Sequence, residues 1–126
     1  MHNSRLNTVN VKGALLEVTT RETENGISVS VQGRLDSSSA PELSEALEPV
    51  ISVGDATVVL DLSATEYVSS AGLRVLLATT KRLKAAGRTF ILCGVSSRIM
   101  EVIKVTGLDR VLDIRGTVEE ALEGIP

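Results

Sequence analysis

Residues 57–83 read TVVLDLSATEYVSSAGLRVLLATTKRL, and how this run divides decides the architecture. Its opening, TVVLDL (57–62), is almost continuously apolar, the pattern of a central strand covered on both faces. From about Ser70 the period changes to a helical one, with Leu73, Leu76, Leu77 and Leu83 on one side. Lys81, Arg82 and Lys84 fall in the later turns, where cations complement the carbonyl end of a helix, and Gly87 supplies a left-handed stop. A strand thus feeds a helix, and two adjacent hydroxyls, Ser69 and Ser70, stand at the junction.

The same alternation extends outward. Upstream, ALLEVTT (14–20) and GISVSVQGRL (26–35) read as strands, the second alternating at Ile27, Val29 and Val31, with Asn25-Gly26 as hairpin-turn chemistry. A helix follows, with Leu43, Ala46, Leu47, Val50 and Ile51 as its buried stripe. Ser39 and Glu42 have capping-box spacing, and Pro41 suits a first turn. Pro49 predicts a kink or stop near Glu48. Downstream come a strand, RTFILCGV (88–95), and a helix opened by Ser96, carrying Ile99, Val102 and Ile103 and closed by Gly107. A short strand, VLDI (111–114), and a short helix, VEEALEGI (118–125), complete the chain.

Strand–helix alternation of this kind predicts an α/β fold with parallel strands joined by right-handed crossovers. The expectation is a mixed sheet of about five strands with an N-terminal hairpin, and three to four helices packed mainly on one face. Residues 1–12 read as a flexible N-terminal segment and 13–126 as one domain.

Composition narrows the function. Apolar residues make up 43% and charged residues 23%, close to globular averages. Lys plus Arg number 13 against 16 for Asp plus Glu, a formal charge of −3. That balance, with Phe90 and Tyr67 as the whole aromatic complement, argues against nucleic acid as partner. The lone cysteine, Cys93, sits in a strand-like FILCGV context and reads as an inert buried thiol. No apolar stretch approaches the ~20 residues of a membrane span, and the first residues lack a secretory pattern, so a cytoplasmic protein is expected.

Enzyme chemistry finds little support. A serine nucleophile needs a base, and the one histidine is His2. Around Ser70 the sequence is VSSAG, not the G-x-S-x-G elbow; Lys81 and Lys84 lie downstream on the same helix and look solvated. Asp36, Asp55, Asp61 and Asp113 form no metal-binding loop, and no phosphate-cradling glycine loop occurs, so neither metal nor cofactor is expected. Asp61 reads as a strand-end carboxylate bonded to nearby backbone. Two roles remain for Ser69 and Ser70. Either can cap the helix, worth about 1 kcal/mol. Either can also receive a phosphoryl group, which a helix N-terminus tolerates because its free N–H groups favour anions.

The run from GRLDSSSAPEL (33–43) through TGLDRVL (106–112), centred on VSSAGL, resembles the STAS domain of bacterial anti-sigma factor antagonists. The resemblance implies a non-enzymatic binding protein. It would bind an anti-sigma factor of the GHKL serine kinase type, release the sigma factor, and be switched off by reversible phosphorylation, with a serine phosphatase restoring it. Aligning Gly72-Leu73 with the family's G-L places the phosphoacceptor on Ser70, with Ser69 as a second candidate. Asp36 matches a loop aspartate near the family's docking surface. The implied partner-binding set is Asp36, Ser37, Ser69, Ser70, Ala71, Gly72, Leu73 and Arg74. Two departures stand out: Ser69 where the family often has Asp, and Ala71 where a second Ser or Thr is frequent. The alternatives are a STAS module without a phosphoserine switch, in a transport complex or scaffold, and, remotely, a serine hydrolase.

Overall fold

The computed structural model describes residues 8–123. Seven strands form one mixed sheet: β1 (Thr8–Lys12), β2 (Leu16–Thr23), β3 (Gly26–Leu35), β4 (Val58–Asp61), β5 (Thr65–Val68), β6 (Phe90–Cys93) and β7 (Asp113–Arg115). Four helices join them: α1 (Ala40–Ser52), α2 (Ser70–Ala85), α3 (Ser97–Val105) and α4 (Val118–Glu123). The spatial order is β1-β2-β3-β4-β6-β7, with β5 paired beside the end of β3. The first three strands are antiparallel neighbours, whereas β3/β4, β3/β5, β4/β6 and β6/β7 are parallel.

The alternation of apolar side chains across the central strands explains the layering. Val58, Leu60, Leu62, Phe90 and Leu92 meet Leu43 and Leu47 of α1, Leu73, Leu76 and Leu83 of α2, and Ile99 and Ile103 of α3 in one core. Val59, Ile91 and Cys93 point the other way, onto Ala121 of α4. Three helices therefore cover one face and the short fourth covers the other. Burial of each large side chain contributes about 1.5–3 kcal/mol. The same burial pushes the Cys93 thiol up to about 12, with Asp61 and Glu119 adding to the effect, so it is protonated and unreactive at neutral pH.

Several local expectations are revised. The flexible segment expected over 1–12 does not hold for residues 8–12, which form β1 against β2; residues 1–7 lie outside the described residues. The strand count is seven, not about five, because TVNVK and TEYV both pair. Helix α1 runs through Pro49 to Ser52. Pro49 falls in its last turn, where one internal hydrogen bond is lost. The buried Arg88 guanidinium gathers the carbonyls beyond it, donating to Val50 and Ile51 oxygens at 3.0 Å and to Ala56 at 2.9 Å. No capping box closes α1 either. Glu42 instead accepts from the Leu15 and Leu16 amides at 3.2 and 2.9 Å, tying α1 to the start of β2.

Candidate functional site

The carboxyl ends of β3 and β5 meet one another and the start of α2. The Ser69 amide donates to the Leu35 carbonyl at 2.8 Å, which locks the end of β5 to that of β3. Beyond Leu35 the chain turns tightly. Asp36 Oδ1 accepts from the Ser38 and Ser39 amides at 3.0 and 3.3 Å, and the Asp36 carbonyl accepts from Ala40 at 2.8 Å. Ser39 is almost wholly buried; its hydroxyl donates to the Arg34 carbonyl at 2.6 Å and accepts from the Asp36 amide at 2.9 Å. Asp36 thus shapes its own loop, an aspartate's usual service in a turn.

At the start of α2 the two serines divide the work. Ser69 is the N-cap: its backbone is extended (φ −91°, ψ 178°) and its Oγ accepts from the Gly72 amide at 3.3 Å. Ser70, the first helical residue, is exposed, and its hydroxyl makes no hydrogen bond among the described residues. Gly72 sets the height of the helix. A Cβ there would lie 2.8 Å from Leu35 Cγ and 3.0 Å from the Leu35 carbonyl oxygen, so only glycine lets α2 sit this close to β3.

The residues implied by the resemblance therefore converge, but not all of them face outward. Ser37, Ser70 and Arg74 are exposed, while Asp36, Ser69 and Ala71 are half-buried. Leu73 is 4% exposed and belongs to the core, and Gly72 is buried against Leu35. Those two hold the surface up without being part of it, because the apolar stripe of α2 begins at Leu73. Two residues not singled out beforehand flank the site. The Arg34 guanidinium lies over the Tyr67 ring, 4.6 Å from its centroid. Their signal was weak: a lone aromatic in TEYV and an arginine inside GRLD. Behind them the buried Thr65 hydroxyl donates to the Val31 carbonyl at 2.7 Å, fixing β5 in place.

Chemically the site is a polar platform at the mouth of a parallel sheet, where open α/β folds place their functional surfaces. Lys81 lies eleven residues along α2 from Ser70, about 16 Å at 1.5 Å per residue, too far to deprotonate that hydroxyl. Asp61, the strand-end carboxylate of β4, accepts from the Ser63 amide at 3.0 Å. No group of three or more His, Cys, Asp or Glu suited to a metal occurs among the described residues. No helix among them is long and apolar enough to cross a membrane.

A mixed sheet with an N-terminal antiparallel hairpin, parallel crossovers and a serine-bearing strand-to-helix turn defines a class of small α/β domains. The chain belongs to that class as a member of the STAS domain family, whose model matches residues 17–121. Among curated relatives it is similar to the anti-sigma-B factor antagonist of Bacillus subtilis, 32% identical over 108 residues, covering 86% of this chain and 98% of that one. It is also similar to the anti-sigma-F factor antagonist RsfB of Mycobacterium tuberculosis, 32% identical over 102 residues, covering 80% of this chain and 83% of that one. Among solved structures, an anti-sigma factor antagonist from Mycobacterium paratuberculosis superposes with a TM-score of 0.76 at 28% identity, covering 95% of this chain and 93% of that one.

Proposed function

We propose that this protein is an anti-sigma factor antagonist whose docking surface is the Asp36 loop and the first turn of α2, switched off by phosphorylation of Ser70. The single observation that carries the proposal is the placement of Ser70. Its hydroxyl is exposed, free of hydrogen bonds among the described residues, and seated on a helix N-terminus that accepts an anion without unfolding. Ser69, which caps, is already engaged.

The mechanism is a change of charge on a rigid platform. An unphosphorylated Ser70 lies beneath a docked anti-sigma factor, for which the family resemblance supplies the kind: a GHKL-type serine kinase. Phosphorylation adds about −1.5 to −2 charges and three acceptor oxygens at that point. A partner group packed there then meets both a desolvation cost and repulsion from any acidic neighbour. A loss of roughly 3 kcal/mol weakens binding by about two decades. A phosphatase resets the surface. This cycle calls for no catalysis by the protein itself and places it in the bacterial cytoplasm with its kinase.

Titration calorimetry against a cognate kinase-type anti-sigma factor tests the switch. Ser70→Asp is expected to weaken binding about a hundredfold. Ser70→Ala is expected to bind like the wild type and to take up no phosphate by mass spectrometry. Equal affinity for Ser70→Asp and wild type overturns the proposal. One observation favours a second reading, a STAS module without the switch in a transport or scaffold assembly: the cap is Ser69, so the acidic side chain the family often carries beside the acceptor is missing. Absence of phosphate on both serines after incubation with kinase and ATP would select that reading.

A further inference from the structure

The two outer edges of the sheet are built differently. At one end β7 is three residues long, and its Asp113 and Arg115 side chains pair at 3.0 Å. Short length and charge are the usual protections of an edge strand. At the other end β1, TVNVK, is longer and exposed along its whole length, with Lys12 as its one charge. Val9 and Val11 are 54% and 49% exposed. They line a groove of about 290 Å³ with Leu16, Val18, Ala46 and Val50, where the sheet extends past the cover of α1.

The phase of the free edge follows from one hydrogen bond. The Gly13 amide donates to the Leu16 carbonyl at 2.8 Å. In antiparallel pairing, bonded and non-bonded pairs alternate. With Val11 opposite Val18 and Val9 opposite Thr20, those pairs bond within the sheet, as Gly13 and Leu16 do. The peptide groups of Thr8, Asn10 and Lys12 therefore point outward, unpaired among the described residues.

We propose that β1 is a homotypic docking edge, and that a second copy of this chain pairs with it antiparallel about a two-fold axis through Asn10. The strand is self-complementary in that register on three independent counts. Thr8 falls opposite the second copy's Lys12 and Asn10 opposite Asn10, so all the outward peptide groups meet bonding partners. Val9 falls opposite Val11 on the groove face, joining two apolar patches into one. Lys12 opposes a threonine, so no like charges face each other. A contact of five residues a side is small beside the ~1,600 Å² of a standard interface, so the dimer is weak and concentration-dependent. It lies at the opposite edge from β7 and makes no use of Ser70, so it stands or falls separately from the switch.

Sedimentation across about a hundredfold range of protein concentration is expected to show a monomer–dimer equilibrium. Hydrogen exchange should report it residue by residue: amides of Thr8, Asn10 and Lys12 gain protection as concentration rises, while those of Val9 and Val11, already bonded to β2, do not. Asn10→Pro removes an N–H that β2 does not use and should leave thermal unfolding nearly unchanged while abolishing the dimer. Asn10→Cys provides an independent check. A bonded antiparallel pair spaces its Cα atoms about 5.5 Å apart, within disulfide range. Asn10→Cys should then cross-link under mild oxidation, the native Cys93 being buried. Lys12→Cys should not, since the two copies of residue 12 are offset by four residues, about 13 Å. A monomer at every concentration, a dimer indifferent to Asn10→Pro, or equal cross-linking of the two cysteine variants would each overturn the proposal.

Discussion

The starts of α2 and α3 are near copies. Each follows a parallel strand and opens with two serines, Ser69-Ser70 and Ser96-Ser97. In each the first serine caps the helix, its Oγ accepting from the amide three residues on, Gly72 at 3.3 Å and Ile99 at 3.2 Å. In each the second serine is exposed at the first helical position. The motif that draws attention to Ser70 therefore occurs twice, and cap geometry alone does not distinguish a switch from a helix start. The difference lies at the third helical position and in what lies alongside. At α3 that position holds Ile99, 1% exposed and packed in the core. At α2 it holds Gly72, pressed against Leu35, which brings Ser70 beside the Asp36 turn and near the Arg34–Tyr67 pair. One start is anchored by a buried side chain; the other has given that anchor up for proximity to a second loop.

The sharpest way to break the comparison is at these third positions. Ile99→Ala leaves a cavity and should lower stability by about 2–5 kcal/mol in urea unfolding. Gly72→Ala should cost about 1–3 kcal/mol, because the new methyl meets a backbone carbonyl that has little room to yield. The two losses should differ in kind. Ile99→Ala should leave anti-sigma factor binding of the folded protein unchanged, whereas Gly72→Ala should weaken it by lifting the first turn of α2 off β3. Matched binding by the two variants would remove the special standing given to α2. The caps themselves should behave alike: Ser69→Ala and Ser96→Ala should each cost about 1 kcal/mol, and a large inequality in unfolding midpoints would show that the two starts are not equivalent caps.

The same contrast shows what could be read from residues alone. TVVLDL declared a doubly covered strand because its burial is written in composition, and Val58, Val59 and Leu60 are all fully buried. The stripe of α2 likewise placed Leu73 in the core, whereas the family match by itself put Leu73 on the docking surface; periodicity was the better guide to which way that side chain points. Strand β5 was hidden because TEYV buries only Thr65 and Val68 and is held by parallel pairing with β3 and by the Thr65 hydroxyl's bond to Val31, contacts more than 30 residues apart in sequence. Glu42 satisfied the spacing of a capping box, but amides brought by the β1–β2 turn, 26 and 27 residues away, took its carboxylate. Local patterns do not reveal such competitors, because only the folded chain brings them within reach. Strand β1 did alternate, but its valines face an open groove and not a closed core, so its signal resembled that of a loose terminus.

The smallest effect on stability carries the most information about function. Ser70→Ala and Ser97→Ala remove exposed hydroxyls that hold nothing in place, so each should shift stability by no more than about 0.5 kcal/mol. Phosphorylation should nevertheless separate them completely. A kinase that docks on the platform of β3, β5 and α2 finds Ser70 in a fixed frame: Ser69 locked to Leu35, Asp36 holding its turn, Gly72 fixing the helix height. Ser97 is followed by the exposed Arg98, and its helix start adjoins the Gly94–Gly116 contact instead of a second capped loop. With kinase and ATP, phosphate should appear on wild type and on Ser97→Ala at equal rates and vanish on Ser70→Ala. Phosphate arriving on Ser97, or surviving the loss of Ser70, would mean that exposure at a helix start is enough for the kinase. The platform around Asp36 would then have no part in choosing the acceptor.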